Sequence, residues 1–328
     1  MIERIGQLFI TGFEGITPSE EFLKKLASEN IGGIILFEEQ CNPHKSAEES
    51  IKKIASISNE IPFVAVDQEG GRVCRFRGAP AEFKSPAEFG RKNDRRLYEE
   101  QLSRSVYYIR SLGVNLLLAP VADIGLKQEN QCLKGRTFGK TPARVMPFVE
   151  LAVRIIHKAG LLTCLKHFPG FGAAIDDPHK MVSQADYDLQ IFLNREALPF
   201  KAGIDSGADM VMTTHLLLPR LDHRIATESE IILNLLLREK LNFDGIAITD
   251  DLLMAGADSI GNFGERALRA FNAGHDILLF GRNHRAAFEA VAYFKEEYKK
   301  GNIDDDRLSI SLDRISGIKS KLTASVIL

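Results

Sequence analysis

The segment from residue 166 to residue 179 concentrates side chains that can transfer protons and bind polar ligands. Its sequence is KHFPGFGAAIDDPH, and it follows the apolar run 161–165. Asp177 and His179 lie two residues apart, so the carboxylate could orient the imidazole for proton transfer, and histidine has an unperturbed pKa of about 6.5. Asp176 could take the same role. The alternative is a surface turn, because Asp and Pro are ordinary turn residues.

A second candidate is Asp250, within the sequence AITDDL at 247–252. A carboxylate that follows a buried strand can act as a nucleophile, bind a metal ion or cap the next helix. Asp251 is the better cap, because Asp250 lies nearer the strand. Asp250 is therefore expected to face a ligand.

Charged side chains that could bind a polyol accompany these candidates. The segment 67–75, DQEGGRVCR, combines carboxylates, two glycines and two arginines. Glycine lets a backbone approach a ligand, and a planar guanidinium can bind two oxygen atoms at once. Arg136 is another such donor, and Lys166 needs a carboxylate or a polar ligand because an unpaired buried ammonium is costly. Structural ion pairs are the alternative.

A repeating arrangement of strands and helices must position these residues. Apolar strand candidates begin near residues 8, 34, 62, 114, 161, 209, 246 and 276, and helical patterns separate them. The alternation predicts a parallel sheet, and eight units favour a closed (β/α)8 barrel of the TIM type with an extra C-terminal helix over about 305–322. No Gly-x-Gly-x-x-Gly turn supports a dinucleotide-binding fold. Residues 1–328 are expected to form a single α/β domain.

The polar candidates share one position in this pattern. Each lies at or just after the C-terminal end of a predicted strand, where barrel enzymes place their active sites. The set comprises Asp67, Asp123, Lys166, His167, His215 and Asp250. Because these side chains converge from several strands, the sequence predicts a polar pocket of the size of a sugar or polyol.

Composition disfavours several other classes of protein. The net charge is −2, with 42 basic and 44 acidic residues, so no basic surface for nucleic acid is expected. The four cysteines have no Cys-x-x-Cys spacing, which favours separate thiols in the cytoplasm. The N-terminus lacks a secretory signal, and no apolar run approaches the roughly 20 residues that span a bilayer. We expect a cytoplasmic monomer with a small carbohydrate substrate and no membrane partner, cofactor or metal.

Six motifs make the chain resemble glycoside hydrolase family 3, and in particular its NagZ-type β-N-acetylglucosaminidases. They are VDQEGGRV at 66–73, LAPVAD at 118–123, GRTFG at 135–139, KHFPG at 166–170, DPH at 177–179 and ITDDL at 248–252. The resemblance implies a barrel enzyme that retains anomeric configuration through a glycosyl-enzyme intermediate. It also implies an exo-acting enzyme that removes terminal β-linked N-acetylglucosamine from muropeptides in peptidoglycan recycling.

The resemblance implies a role for each matching residue. Asp250 would be the nucleophile, His179 the general acid and then the general base, and Asp177 the partner of that histidine. The residues that would hold the hydroxyls of the terminal sugar are Asp67, Arg75, Arg136, Lys166 and His167. Those that would line the pocket are His215 and Met254.

The chain departs from the family pattern in two segments. Phe171, Ala173 and Ala174 replace the usual histidine, aspartate and threonine, and Pro178 replaces a small residue. The segment 37–40 lacks the arginine and asparagine often found there. These differences leave other functions open: phosphorolysis or β-glucosidase activity on the same scaffold, or a sugar-binding barrel without catalysis.

Overall fold

The computed structural model describes residues 1–175 and 181–324, and eight parallel strands form its central barrel. The strands are β1 (Phe9–Thr11), β2 (Gly33–Leu36), β3 (Phe63–Val66), β4 (Leu116–Leu117), β5 (Leu162–Phe168), β6 (Met210–Thr213), β7 (Ile246–Thr249) and β8 (Leu278–Phe280). Their order is β7-β6-β5-β4-β3-β2-β1-β8. A parallel bridge between Ile248 and Ile277 joins β7 to the start of β8 and closes the ring. The predicted (β/α)8 barrel is confirmed.

Helices separate the strands and form the outer layer. The α-helices are Glu20–Ser28, Glu38–Cys41, His44–Ile57, Pro86–Lys92, Arg95–Ser111, Pro142–Lys158, Leu189–Ile191, Ala197–Asp205, Phe263–Ala273, His284–Lys299 and Asp305–Ala324. Two segments, Phe192–Glu196 and Ile231–Lys240, are π-helical, and three, Ile2–Leu8, Ala226–Glu228 and Ala255–Ile260, are 3-10 helices. Two short ribbons pair Gln68–Gly70 with Val73–Cys74 and Ser183–Gln184 with Leu216–Leu217.

Local sequence explains these elements. The barrel strands are mostly apolar because helices cover one face and the barrel interior covers the other. All four residues of β2 and all four of β3 are buried. Ser19 begins the first α-helix by accepting a hydrogen bond from the Phe22 amide. Among the described residues, no helix is both long and apolar enough to cross a membrane.

The last helix, Asp305–Ala324, lies across the N-terminal end of the barrel. Lys319 Nζ donates to Gln7 Oε1 at 2.6 Å, just before β1. Arg307 and Arg314 pair with Asp276, which precedes β8, at 3.4 and 3.3 Å. The helix therefore covers the barrel face opposite to the strand ends that carry the polar candidates.

Candidate active site

A cavity of about 780 Å³ lies at the C-terminal end of the barrel. Its walls come from the ends of β2, β5, β6 and β8 and from the loops that follow β3, β4 and β7. This volume is typical of sites for small ligands. The predicted site residues that line it are Asp67, Arg75, Arg136, Lys166, His167, Asp250 and Met254.

Two carboxylates and three cations form one ion cluster at this cavity. Lys166 Nζ lies 2.6 Å from Asp67 Oδ1 and 2.6 Å from Glu69 Oε1. Arg136 binds Glu69 with two hydrogen bonds, from Nε at 2.7 Å and from Nη2 at 2.8 Å. Arg75 Nη2 donates to Asp67 Oδ2 at 3.1 Å. The polar groups are thereby fixed before a substrate arrives.

The ion cluster stays charged at neutral pH although it is buried. Burial alone would raise the pKa of Glu69, but the charges of Arg136 and Lys166 lower that pKa to about 2. Burial likewise opposes the charged form of Asp67, yet Lys166 and then Arg75 hold its pKa well below the usual range. Among the described residues, Arg75 Nε is buried without a hydrogen-bond partner.

His167 is oriented by Asp123 and Arg136. Its Nδ1 lies 2.7 Å from Asp123 Oδ2, and its Nε2 lies 3.1 Å from Arg136 Nη2. Because a guanidinium can only donate, Nε2 must accept, so the proton is assigned to Nδ1 and is donated to Asp123. The amides of His167 and Phe171 also donate to Asp123, at 3.0 and 2.7 Å.

Asp250 follows β7 directly and lines the cavity. Its carboxylate accepts a hydrogen bond from the Asp251 amide at 2.8 Å. Within residues 1–175 and 181–324, no cation forms an ion pair with it. The Asp251 carboxylate instead accepts from the amides of Leu253 at 3.0 Å and Gly281 at 2.8 Å. Asp251 thus holds the turn, which leaves most of the Asp250 carboxylate to a ligand.

His215 is a predicted site residue that is fully buried and is absent from the described cavity lining. Its Nδ1 contacts Thr227 Oγ1 at 2.7 Å, and its Nε2 contacts the Asp251 carbonyl oxygen at 3.0 Å. In its described contacts this side chain supports the backbone behind Asp250, and a role for His215 in lining the pocket stays a prediction.

Several other predictions concern the loop after β5. Asp176, Asp177, Pro178 and His179 lie outside the described residues, so the proposed acid/base pair stays a prediction. Phe171 is buried and belongs to the hydrophobic core, and the described cavity lining does not include it.

Three charged or aromatic residues of the cavity, Glu69, Phe37 and Arg282, are among those that the sequence did not identify as site residues. Glu69 lies two positions after Asp67, within a motif that was recognised, but only the fold shows that it turns toward Lys166. Phe37 and Arg282 stack at the mouth, with the guanidinium carbon 4.6 Å from the ring centroid. Arg282 comes just after β8, so the strand-end position that identified Asp67 would also have identified Arg282.

The fold and the cavity together define a (β/α)8 barrel with a polar site at the C-terminal ends of its strands. The sequence model of the glycosyl hydrolase family 3 N terminal domain matches residues 1–318. The chain therefore belongs to glycosyl hydrolase family 3, and the resemblance seen in its motifs is confirmed.

Individual relatives agree with this assignment. The chain is 33% identical to a β-hexosaminidase of Actinobacillus pleuropneumoniae serotype 3 (strain JL03), over 80% of this chain and 77% of the relative. It superposes on a family 3 β-N-acetylglucosaminidase from Paenibacillus sp. str. FPU-7 with a TM-score of 0.95 and 28% identity, over 99% of this chain and 63% of that one. A β-N-acetylhexosaminidase from Beutenbergia cavernae DSM 12333 gives a TM-score of 0.87 and 27% identity, over 97% and 98%. The chain thus spans less than two thirds of the Paenibacillus protein.

Proposed function

We propose that the protein is a retaining exo-β-N-acetylglucosaminidase. The observation that carries the proposal is the Asp250 carboxylate, which lines the same cavity as the ion cluster and has no cation partner among the described residues. A nucleophile must keep its lone pairs for the anomeric carbon, whereas a structural carboxylate is held by ion pairs. The β-hexosaminidase and β-N-acetylglucosaminidase relatives support N-acetylglucosamine as the sugar.

In the proposed reaction, Asp250 attacks the anomeric carbon and the glycosidic bond breaks. The leaving oxygen takes a proton from a general acid, for which the Asp-x-His motif nominates His179 with Asp177 as its partner. Water then attacks the glycosyl-enzyme ester, gives its proton to the same base and releases the sugar with its original configuration. Lys166, Asp67, Arg75, Arg136 and His167 would hold the sugar hydroxyls during both steps.

The mouth of the cavity supports an acidic leaving group. Arg282 is about half exposed there, stacks on Phe37 and lies 3.7 Å from Glu39 Oε1. Arg75 approaches the same ring to within 5.8 Å. An aromatic face can pack against a sugar ring, and a guanidinium can bind a carboxylate with two hydrogen bonds. A muropeptide carries carboxylates on its muramic acid and its peptide. We therefore propose muropeptide fragments as substrates, in cytoplasmic recycling of peptidoglycan.

The experiment compares hydrolysis of an aryl β-N-acetylglucosaminide with that of the matching β-glucoside, in the presence of a chelator. We expect turnover of the first substrate only, loss of that turnover in Asp250→Asn, and full activity in the control Asp244→Asn. Asp244 is an exposed aspartate that precedes β7 at the opposite end of the strand. A sugar 1-phosphate formed in phosphate buffer would identify a phosphorylase, and preference for the glucoside would identify a β-glucosidase. Binding of N-acetylglucosamine without turnover would identify a sugar-binding protein.

A further inference from the structure

A buried carboxyl group outside the cavity lies against the turn that follows His167. The Glu196 side chain is completely buried at the end of the π-helical segment Phe192–Glu196. Its Oε1 accepts from Arg195 Nε at 2.8 Å and lies 2.7 Å from Arg195 Nη2. Its Oε2 has no hydrogen-bond partner in the described part of the chain. π-helical segments often mark functional sites, and a half-satisfied buried carboxyl needs an explanation.

The carboxyl group packs directly on Gly170. A Cβ atom at this glycine, whose φ is +120°, would lie 3.0 Å from Glu196 Oε2 and 3.0 Å from Glu196 Cβ. Tyr187 is also buried, and its hydroxyl contacts the carbonyl oxygens of Pro169 at 3.3 Å and Gly170 at 3.1 Å. Glu196 and Tyr187 thus support the same turn, residues 168–171.

The turn is tied to the cavity by Asp123. That carboxylate binds the amides on both sides of the turn, His167 N at 3.0 Å and Phe171 N at 2.7 Å, and it also binds His167 Nδ1 at 2.7 Å. Because one carboxylate joins the turn and the imidazole, a shift of Gly170 would change the orientation of His167.

We propose that Glu196 is a positioning residue whose buried carboxyl group supports Gly170 and, through the turn and Asp123, holds the His167 imidazole in place for the sugar. This inference rests on the proposed function, because it takes His167 as a sugar-binding residue. Glu196 itself is absent from the described cavity lining and contacts the turn rather than the substrate.

Burial favours the neutral form of Glu196, although the charge of Arg195 opposes it. The titratable and charged groups that face Glu196 are Arg195 on its own helix and Asp123 and Tyr187 from the loops packed against it. Burial raises the pKa of Glu196 to about 7; Arg195 opposes this rise and Asp123 adds to it. Ionisation would place a second negative charge near Asp123 and leave Oε2 without a donor.

The first test compares kcat/KM at pH 6 and pH 8 for the wild type, Glu196→Gln and the control Glu239→Gln. Glu239 is an exposed glutamate in the other π-helical segment, Ile231–Lys240. About nine tenths of a carboxyl with a pKa near 7 is ionised at pH 8, so the wild type should lose up to about tenfold more activity between these pH values than Glu196→Gln. The control should follow the wild type. If the ratio of kcat/KM at pH 6 to kcat/KM at pH 8 is equal in all three proteins, the proposal is overturned.

The second test measures amide hydrogen exchange in peptides that cover residues 165–175, at pH 8. Glu196→Gln should exchange several-fold more slowly than the wild type, and Tyr187→Phe several-fold faster, whereas Glu239→Gln should match the wild type. If Glu196→Gln does not fold, wild-type exchange in these peptides that is equal at pH 6 and pH 8, after correction for the intrinsic exchange rates, would still refute the role of Glu196. If the wild type hydrolyses no glycoside, the proposed function is contradicted. If the wild type is active but Glu196→Gln matches it in hydrogen exchange and in the ratio of kcat/KM at pH 6 to that at pH 8, only the role of Glu196 is contradicted.

Discussion

Replacing Lys166 by methionine removes the cation that joins the two carboxylates of the ion cluster. Lys166 is 2% exposed, and its ammonium lies 2.6 Å from both Asp67 and Glu69. Methionine preserves most of the volume but leaves both carboxylates buried with one fewer cation. Breaking a buried ion pair in this way costs about 3 to 5 kcal/mol of stability.

The pKa values in the cluster give a second estimate of this loss. The pKa of Glu69 is about 2 rather than 4.5, a difference that corresponds to about 3 kcal/mol of interaction with its neighbours. Arg136 makes the largest favourable charge interaction with Glu69 and Lys166 the next largest, so Lys166→Met removes only part of this stabilisation. Asp67 should lose more, because Lys166 is its main cationic partner. We expect the free energy of unfolding to fall by about 3 kcal/mol at pH 7.

The loss of unfolding free energy in Lys166→Met should depend on pH. Both carboxylates have lowered pKa values in the folded state, so their stabilisation is present above pH 4.5 and is lost as the pH falls toward 2. In Lys166→Met these pKa values are lowered less, so the variant has less of this stabilisation to lose. The difference from the wild type should therefore shrink by about 1 kcal/mol between pH 7 and pH 3.5.

Urea denaturation followed by circular dichroism at both pH values measures this difference. The matched control is Lys201→Met, which removes a lysine whose ion pair with Asp205 is exposed on the surface. Exposed pairs of this kind contribute about 0 to 1 kcal/mol, so the control should remain close to the wild type. If the free energy of unfolding of Lys166→Met is less than about 1 kcal/mol below that of the wild type at pH 7, or if the difference is equal at both pH values, the account of this cluster is refuted.

Two further predictions concern the cavity wall. Arg282→Ala should lower kcat/KM about fivefold for an N-acetylglucosaminyl-muramic acid substrate and less than twofold for a neutral aryl glycoside, because only the acidic substrate offers a carboxylate that can compete with the exposed Glu39 for the guanidinium. Steady-state kinetics with both substrates measures this difference. Equal losses would argue against an acidic leaving group. Asp123→Asn should lower kcat/KM for the aryl glycoside about 10- to 100-fold with an unchanged circular dichroism spectrum. The reason is that one side-chain amide cannot accept hydrogen bonds from His167 Nδ1 and from both backbone amides. If the variant instead has the kcat/KM of the wild type, His167 needs no such partner.

The fold was predictable because a parallel barrel imposes its pattern on the sequence. Strands buried on both faces must be apolar runs, and the predicted starts lie within about two residues of β1 to β8. The C-terminal helix was also predicted, but its position across the barrel's N-terminal face was not. Its contacts with Gln7 and Asp276 join residues far apart in sequence, which local patterns do not reveal.

The candidate site was predictable in part. Position at a strand end correctly placed Asp67, Lys166 and Asp250 around one cavity, because parallel strands bring their C-terminal ends together. His215 also follows a strand, but its described contacts are with Thr227 and the Asp251 carbonyl oxygen, because strand position does not fix the direction of a side chain once the chain turns. Glu69 was missed because it does not lie at the end of a barrel strand. Its side chain reaches the cluster from the ribbon after β3.

The central claim is that Asp250 is the nucleophile of a retaining glycosidase. The most direct measurement is proton NMR of the first sugar released from an aryl β-N-acetylglucosaminide, with the wild type and Asp250→Asn compared under the same conditions. The account predicts that the β-anomer of N-acetylglucosamine forms first and that Asp250→Asn is at least about 1,000-fold slower, since the covalent step is lost. Initial formation of the α-anomer, or turnover by Asp250→Asn close to that of the wild type, would contradict it.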